Sequence, residues 1–435
     1  MRVKWISGFI ILAILSGGSL LAQEAQAPLT LEESIKIAME RSLTLHSAAM
    51  GVVGSEFGRK QAITNFLPLW TGQYGYTQYN RPALVGFPGS GALVTSRDVY
   101  SGSTSVQQPL FTGGFNLATY RSAKMGVDIS KESLETAKRD LVLQVKLGYF
   151  NILRAEKFLL VAQQQVKQFE AQLEVTKAFF EVGIVPKNDV LQAEVNLANA
   201  RQSQVTAENN VATAKASFNI LLRRDINTPF NVVDILEYKP FPLRFEESLG
   251  EAMRQRPEIK AAQLNIDQAK ENVKIARSAF FPTISLSASY LRMSDQVDLR
   301  DGILAERWAI GPLATFTLWN WGNTAYKVGQ NKVKVVQAED SKTQLVESIT
   351  LEVKDDYLNM LVAEKNLGVS ETAIAQAEEN LRMTEERYKY QVATQTDVII
   401  AVTLLTQTRT NYYGALSDFN VAKAQLERAM GRMYP

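Results

Sequence analysis

The sequence of 435 residues predicts an α+β membrane protein with an internal duplication. Long antiparallel coiled-coil helices are expected to alternate with four β-strands per chain. Three observations predict this fold: an export signal without a further stretch able to form a membrane-spanning helix, one sequence unit that occurs twice, and alternating strands that border long heptad patterns.

The N-terminal residues have the pattern of a secretory signal peptide. Arg2 opens a basic start, Phe9–Leu15 is an uninterrupted apolar run, and Ala22 offers a small residue for cleavage, with Ala27 as a later option. We therefore predict a signal peptide over residues 1–22. No other stretch reaches the roughly 18 apolar residues of a spanning helix, so the mature chain is expected to enter a membrane only through strands.

Composition and charge exclude several classes of function. Lysine and arginine number 47 and aspartate and glutamate 45, so the net charge is only +2 and gives no support for nucleic-acid binding. The absence of cysteine excludes disulfides, thiolate metal sites and a lipidated N-terminal cysteine. His46 is the only histidine, and acids such as Glu156 and Glu364 fall on predicted helical rods, where ion pairs are common. We therefore expect no catalytic residue, no cofactor and no metal site.

One sequence unit occurs twice. Leu31–Ala48 aligns with Phe245–Ala262 at a shift of 214 residues, and Gln144–Lys157 aligns with Glu352–Lys365 at a shift of 208. After that point the register does not slip again. A duplication of this length implies that both halves share one architecture.

The repeats and their connector have predicted bounds. We assign the first repeat to residues 28–223 and the second to 245–435. The connector over 224–244 contains three prolines that interrupt helix. Each repeat should begin with a single helix, over Leu31–Phe66 in the first and Glu246–Phe280 in the second.

Four segments alternate between apolar and small polar residues, at about 68–80, 99–111, 283–293 and 308–319. Alternation over about ten residues is typical of a barrel strand with lipid on one side and water on the other. The loops over 81–98 and 294–307 would then face the outside. Aromatic residues in these segments predict a membrane girdle, formed by Trp70, Tyr74, Trp308 and Trp319. Trp308 and Trp319 fall near the two ends of the predicted fourth strand.

The helices are unusually long. Gly114–Phe180 would form one rod of 67 residues, about 100 Å in length. Apolar residues recur along it at steps of four and three, as at Val145, Ile152 and Val166, and the second repeat has the same spacing. Breaks near 183–188 and 391–396 predict two antiparallel coiled-coil hairpins. Heptads specify partners rather than function, so a soluble spacer explains this pattern equally well.

Four strands cannot close a membrane barrel by themselves, since the smallest have about eight. Several chains must therefore share one barrel. Two chains would pool enough strands for a barrel that is filled by its own side chains. Three chains would pool 12 strands, the smallest such assembly expected to leave a lumen.

Together these features resemble the TolC-like outer membrane efflux protein family across essentially all of the mature chain. The features that carry the resemblance are the duplication, the strand-entry prolines Pro68 and Pro282, the strand exits Phe111–Gly114 and Trp319–Gly322, and the paired motifs Asp189–Leu191 and Asp397–Ile399. The resemblance implies a homotrimer, whose 12-stranded β-barrel in the outer membrane continues into an α-helical barrel in the periplasm.

The resemblance also implies functional residues at the helix tips. The constriction or gate residues would be Asp397, Asp189 and Tyr388. The positions that meet a periplasmic adaptor protein, itself bound to an inner membrane transporter, would be Gly183, Ile184, Val185, Gln391, Val392, Ala393 and Thr394. Ile400 and Ala393 depart from the family pattern, which has a second aspartate and a basic gate residue there. Both aspartates are also expected to act as helix N-caps.

The predicted function is that of an outer membrane exit duct. It would conduct substrates passively to the outside, as part of a tripartite efflux pump or a type I secretion system. Two alternatives remain open from the residues alone. One is a coiled-coil spacer protein of the envelope without a channel, and the other is a general porin that works without a pump.

Overall fold

The computed structural model describes residues 28–85, 94–242 and 244–432, so the predicted signal peptide lies outside the described residues. These residues form eight helices and four strands. The elements are α1 Leu31–Arg41, α2 Leu43–Thr64, β1 Leu69–Val85, β2 Val94–Phe111, α3 Phe115–Glu181, α4 Lys187–Leu221, α5 Phe245–Gln255, α6 Pro257–Ser278, β3 Thr283–Ser294, β4 Ile303–Thr315, α7 Asn323–Lys389 and α8 Gln395–Ala429.

The order of two helices, two strands and two helices occurs twice. Helices α1, α2, α3 and α4 contain 11, 22, 67 and 35 residues, and α5, α6, α7 and α8 have the same four lengths. The internal duplication and the 67-residue rods are therefore confirmed. The bounds of the repeats as sequence units stay a prediction.

Each repeat begins with two helices, so the prediction of one continuous helix there was wrong. Ser42 separates α1 from α2 with an extended backbone, and its hydroxyl accepts a hydrogen bond from the Leu45 N–H at 3.3 Å. Arg256 has the same position between α5 and α6, and Pro257 after it disfavours a helical backbone at Arg256. A break of one residue leaves the apolar period almost unchanged, so the pattern did not reveal it.

The four strands form one antiparallel sheet in sequence order. One row across the sheet contains Trp70, Val106, Ala288 and Ile310, and the next contains Thr71, Ser105, Ser289 and Ala309. Adjacent residues of a strand point to opposite sides. In these two rows the register places apolar residues on one face and small, mostly polar residues on the other, as the alternation predicted.

The apolar face of the sheet is not covered by the chain's own helices. Trp70 is 77% exposed and Ile310 is 64% exposed. Such side chains would be buried if the hairpins packed on a soluble core. An exposed apolar face of this kind is typical of a surface that contacts a membrane or another protein.

The fourth strand differs from its predicted range of 308–319. It spans Ile303–Thr315, and its last pair is Thr283 with Thr315. Pro282 precedes β3 and has no N–H to extend the ladder. Trp308 therefore lies in the middle of β4 and Trp319 lies beyond it. The predicted loops are also shorter than expected, because β1, β2 and β4 take up part of them, and residues 86–93 lie outside the described residues.

All four junctions between strands and helices lie at the same end of the sheet. The register pairs Phe111 at the end of β2 with Ile284, and Thr283 at the start of β3 with Thr315. From this end of the sheet α3 and α7 each extend for about 100 Å. Among the described residues, no helix combines the length and apolarity needed to cross a membrane.

The long helices pack along the predicted heptad seam. Val145, Ile152, Val166 and Val353 are buried. Near the sheet the helices pack in the order α2, α3, α6, α7, and toward the far ends in the order α4, α3, α8, α7. α3 and α7 are thus the two continuous rods on which the shorter helices assemble.

Candidate functional site

The chain reverses twice at the end far from the sheet. α3 joins α4 through the first tip, Val182–Pro186, and α7 joins α8 through the second tip, Tyr390–Thr394. In the first tip the Ile184 N–H donates to the Phe179 carbonyl at 2.8 Å. In the second, the Val392 N–H donates to the Arg387 carbonyl at 2.8 Å. The two tips therefore close with the same backbone bond.

This shared turn requires a left-handed residue. Gly183 has φ +77° in the first tip, and Gln391 has φ +60° at the matching place in the second. Glycine adopts this region freely, whereas a residue with a Cβ does so at a cost of about 1 kcal/mol or more. The second tip thus keeps the turn without the residue that best suits it.

The predicted adaptor-docking residues all lie in the two tips. Gly183, Ile184, Gln391, Val392 and Thr394 are exposed. Val185 and Ala393 are half-buried, and Ala393 packs against the apolar core between the hairpins. Docking itself stays a prediction.

Asp397 lies in the first turn of α8 but is not the N-cap, so that expectation was wrong. The N-cap is Thr394, whose backbone N–H and hydroxyl both donate to the Asp397 carboxylate at 2.8 Å. The Asp397 N–H donates back to the Thr394 hydroxyl at 3.2 Å. A threonine three residues before an acid forms this reciprocal box, which explains the shift in position. These hydrogen bonds lower the pKa of Asp397, with the backbone bond from Thr394 as the largest cause.

Asp189 occupies the matching third position of α4, and the N-cap expectation was wrong for it as well. The N-cap is Pro186, which has no hydroxyl to form a box. Asp189 is half-buried and lies in the first turn, where a carboxylate interacts favourably with the helix dipole. The two aspartates therefore share a position but not a hydrogen-bond network.

Tyr388, the third predicted gate residue, is buried at the end of α7. It is 4% exposed, and its ring lies 5.5 Å from the Phe179 ring of the first hairpin. Burial is the main reason that its pKa is raised, and the nearby charge of Asp189 adds to the effect. Tyr388 thus packs against the first hairpin, near enough to the Asp189 charge to be affected by it, while Asp397 remains exposed.

A buried polar cluster joins the hairpins next to Tyr388. The Gln172 side-chain amide donates to the Gln395 side-chain oxygen at 2.7 Å, and the Thr176 hydroxyl donates to the same oxygen at 2.9 Å. The Thr176 hydroxyl also lies 3.5 Å from the Tyr388 hydroxyl. All of these groups are neutral. The tips of one chain are therefore tied by buried amide and hydroxyl contacts rather than by an ion pair.

Sequence reasoning missed Gln172, Thr176 and Gln395. A signal was present, because Thr176 continues the apolar seam of α3 three residues after Leu173. Gln395 likewise precedes Val398 by three residues on the seam of α8. A polar residue at a seam position in an otherwise apolar series indicates a specific polar partner across the interface.

The predicted girdle residues do not lie at one level of the sheet. Trp70 and Trp319 are at the end of the sheet where the helices begin, and Trp308 lies midway along β4. The Tyr74 hydroxyl donates to the Val297 carbonyl, in the loop between β3 and β4, at 2.6 Å. A common girdle role for these four residues stays a prediction.

A family model described as outer membrane efflux protein matches residues 34–222 and 248–432. These two stretches cover most of the chain. The chain belongs to the outer membrane efflux protein family. Each matched stretch begins within the first short helix of a repeat and continues to the end of its last long helix, or just beyond it. The strands and the tips of this family member are therefore within the match.

Characterised relatives are similar over much of their length. Outer membrane protein TolC of Vibrio cholerae is 25% identical over 345 residues, which cover 75% of this chain and 78% of that protein. Outer membrane efflux protein BepC of Brucella suis is 24% identical over 425 residues, which cover 97% of this chain and 89% of that protein.

Solved structures share the fold. A structure of CusC, described as a study of folding and transmembrane channel formation, has a TM-score of 0.79 at 18% identity, with 93% of this chain and 92% of that chain covered. The CmeC outer membrane channel of Campylobacter jejuni has a TM-score of 0.78 at 18% identity, with 98% and 94% covered. The predicted family and fold class are therefore confirmed.

Proposed function

We propose that this outer membrane efflux protein forms the exit duct of an efflux or secretion system, as a homotrimer. Each chain contributes four strands to a 12-stranded barrel in outer membrane lipid and its long helices to a periplasmic tunnel. The duct performs no chemistry and takes its driving force from an inner membrane transporter through a periplasmic adaptor. The observation that carries the proposal is the open sheet, whose apolar face and two unpaired edges require further copies.

The sheet edges are compatible with closure by rotation. β1 runs away from the helices and β4 runs back toward them, so β4 of one chain can pair with β1 of the next in antiparallel fashion. Each pairing satisfies the backbone groups that an open edge exposes. Edges that differ in this way form a head-to-tail interface, and such an interface closes into a ring when the rotation between copies returns to the first copy.

The outer helices support the same arrangement. α7 exposes Leu351, Leu358, Val362 and Val369 at heptad-compatible spacing, and α4 exposes Leu191, Val195 and Val205. These stripes lie at opposite ends of the packing order within one chain. α7 of one copy and α4 of the next are therefore neighbours across the chain boundary. The α4 stripe lies nearer the tips than the α7 stripe, so each stripe lines a different stretch of that boundary.

The tips carry the proposed adaptor contacts and gate. Ile184 and Val392 present exposed apolar side chains at the end of the hairpins, where a partner can bury them. The neutral cluster around Gln395 and Tyr388 holds the two hairpins of one chain together. Asp397 is exposed beside it, and rotation of the trimer would repeat its carboxylate around the pore, where it attracts cations.

Conductance tests both the duct and the role of Asp397. The purified trimer in planar bilayers should give stable single channels with a preference for cations. Asp397→Ala and Asp397→Asn should both weaken that preference, because both remove the repeated charge, whereas Asn retains an oxygen that accepts the Thr394 hydrogen bond. Asp340→Asn provides a control that removes an exposed carboxylate from the side of α7.

Three results would contradict the proposal or one part of it. A processed chain that fractionates as a water-soluble periplasmic monomer would favour the spacer alternative. Stable channels whose current and ion preference are unchanged in both Asp397 variants would support the duct but show that Asp397 has no role in its gate. Wide conductance and full export activity in cells that lack any adaptor would favour a general porin.

A further inference from the structure

Positive charge is concentrated in the helical turns next to the sheet. We define the collar as the last 12 residues of α2 and α6 and the first 12 of α3 and α7, which are residues 53–64, 267–278, 115–126 and 323–334. It contains ten lysines and arginines and three carboxylates, although the whole chain carries only +2. The collar therefore has a charge of +7 within about 18 Å of the strand–helix junctions.

The opposite ends of the helices have the opposite charge. The matching segments of 12 residues next to the tips are 170–181, 187–198, 378–389 and 395–406. They contain five lysines and arginines and ten carboxylates. A generally solvated helix surface gives no reason for such a difference between two ends of equal length. The collar charge is thus a local feature of the sheet end.

Most of the collar cations have no acidic partner among the described residues. The three carboxylates pair with Arg59, Lys270 and Lys274. Seven exposed cations form no ion pair with a described residue: Lys60, Arg121, Lys124, Arg277, Lys327, Lys332 and Lys334. Their charge is therefore available to an anionic partner.

Exposed aromatic side chains lie in the linkers between the collar and the sheet and in the first turn of the collar itself. Phe115, Phe281, Trp319 and Tyr326 are exposed around the junctions, and Trp321 is 84% exposed. The order along the molecule is an apolar sheet face, then aromatic rings, then unpaired cations. Hydrocarbon, interface and charged headgroups follow in the same order across one leaflet of a bilayer.

We propose that the collar binds the anionic headgroups of the membrane leaflet on the helix side of the sheet. The proposal rests on the proposed insertion of the sheet in a membrane. Each collar lysine or arginine adjacent to such a surface favours an anionic over a zwitterionic headgroup by about fivefold. The collar thereby sets the depth of the sheet in the bilayer and selects the surrounding lipid.

Lipid retention tests the collar directly. The full-length wild-type protein and a triple variant, Lys327→Gln with Lys332→Gln and Lys334→Gln, are inserted into vesicles of phosphatidylcholine with 30% phosphatidylglycerol, a composition chosen at roughly the anionic content of a charged leaflet. They are extracted gently, and the retained lipid is quantified by native mass spectrometry. The ratio of phosphatidylglycerol to phosphatidylcholine retained by the wild type should be about fivefold above the ratio in the vesicles, and the ratio for the triple variant should be at most about half of the wild-type ratio.

A matched variant controls for the change in total charge. Lys167→Gln with Lys177→Gln and Lys365→Gln removes three exposed lysines at least about 60 Å along the helices from the sheet. It should retain phosphatidylglycerol as the wild type does. If the first triple variant does not form trimers, Arg121→Gln with Lys124→Gln tests the same surface on another helix.

Two outcomes would overturn the proposal. Equal retention in the wild type and the collar variants would exclude headgroup binding. A shift in anion against cation selectivity of the channel, with lipid retention unchanged, would place these lysines on the lumen instead. A wild type that fails to insert into any vesicle contradicts the proposed function itself, whereas insertion without a lipid preference contradicts only the collar.

Discussion

Ser42 and Arg256 occupy the same place in the two repeats, between the paired short helices, but their surroundings differ in chemistry. The Ser42 hydroxyl accepts a hydrogen bond from the Leu45 N–H, and Leu45 belongs to an apolar core beside the first pair of short helices. Tyr149 and Phe218 are fully buried with ring centroids 6.1 Å apart. The Tyr149 hydroxyl donates to the Val233 carbonyl of the connector at 2.8 Å, and burial raises the pKa of Tyr149 to about 12. This first junction is held by packing.

The second junction is held by a network of charges. Arg256, only 4% exposed, donates to Glu352 at 2.6 Å and to Glu258 at 3.0 Å. Arg428 donates to the same two carboxylates and to Asp140 of α3, at 2.7 to 3.1 Å. Two arginines thus join α3, α6, α7 and α8. At the positions of Glu352 and Arg428, the first repeat has the uncharged residues Gln144 and Ile220.

The side chains at each junction fit one another in size. A Cβ added to Gly148 would lie 2.9 Å from the Phe218 ring, so α3 and α4 approach closely there. The second repeat has Asp356 and Leu426 at these two positions. The smaller Leu426 leaves room for the carboxylate. One backbone plan is therefore stabilised in two ways, and the two junctions should respond differently to substitution and to pH.

Loss of an arginine from the second junction should have the largest effect. Arg256→Met leaves Glu258 and Glu352 with only Arg428, and removes a donor to the Ala429 carbonyl. Removal of one partner from a buried ion pair costs about 3 kcal/mol or more, and because Arg428 remains beside both carboxylates the expected loss is at most about 3 kcal/mol. The urea unfolding midpoint of the trimer in detergent, followed by circular dichroism, should fall accordingly.

Arg254→Met is the matched control, because Arg254 lies two residues before Arg256, within α5, and is exposed. Its effect should stay within about 0.5 kcal/mol. Equal effects of the two substitutions would show that the charge network adds nothing to stability, and the contrast between the junctions would then lose its energetic basis.

The pH response should come from Asp356. Burial, followed by the charges of Glu352 and Asp355, raises the pKa of Asp356 from 3.8 to about 6. The folded chain therefore binds this proton more tightly than the unfolded chain. The ionised carboxylate costs the folded state free energy above about pH 6, and this cost decreases as the pH falls and is absent below 3.8.

Asp356→Asn removes this cost and should stabilise the protein by about 1 to 2 kcal/mol at pH 8, with no gain near pH 3.5. The estimate is reduced because the side chain is partly exposed. Unfolding curves at both pH values measure the difference. Asp355→Asn, an exposed neighbour, should change stability by less than about 0.5 kcal/mol. A gain from Asp356→Asn that is equal at both pH values would exclude titration as its cause.

The overall plan of the fold could be predicted from periodicity, but the contents of the junctions could not. Heptad spacing gave the 67-residue rods, and alternation gave the strands, since both patterns are local in the sequence. The pairing of Arg256 with Glu352 joins residues 96 positions apart. Neither residue shows a local pattern that indicates the other. The length of β4 was missed because it depends on where β3 begins.

The candidate site shows the same division. Turn position and exposure followed from the sequence at Gly183 and Val392. The N-cap at Thr394 could have been predicted from the spacing of three residues between this threonine and Asp397, which is typical of a capping box. That signal was present in the sequence but was not used. The approach of Asp189 to Tyr388 depends on the packing of one hairpin against the other, which no local pattern specifies.

Packing at the first junction should respond to a single methyl group. Gly148→Ala places its Cβ against Phe218, at a cost of about 1 to 3 kcal/mol, against a gain of up to about 1 kcal/mol in helix propensity. A net loss of about 1 kcal/mol is expected. Phe218→Leu, the residue type of the second repeat, should reduce the loss in a double-mutant cycle. Gly368→Ala is the control, since a Cβ there meets no atom within 4 Å, and it should only stabilise.

The smallest expected effect lies at the tips, where the repeats differ in the left-handed residue. Gln391→Gly should stabilise the second tip by about 0.5 to 1 kcal/mol, because glycine adopts the φ of +60° without strain. The Val392 N–H, which donates to the Arg387 carbonyl, should then exchange with deuterium about threefold more slowly. Gly183→Ala should have the opposite effect on the Ile184 N–H. If neither exchange rate moves, the turn carries no strain at this position, and the two tips are equivalent in energy despite their different residues.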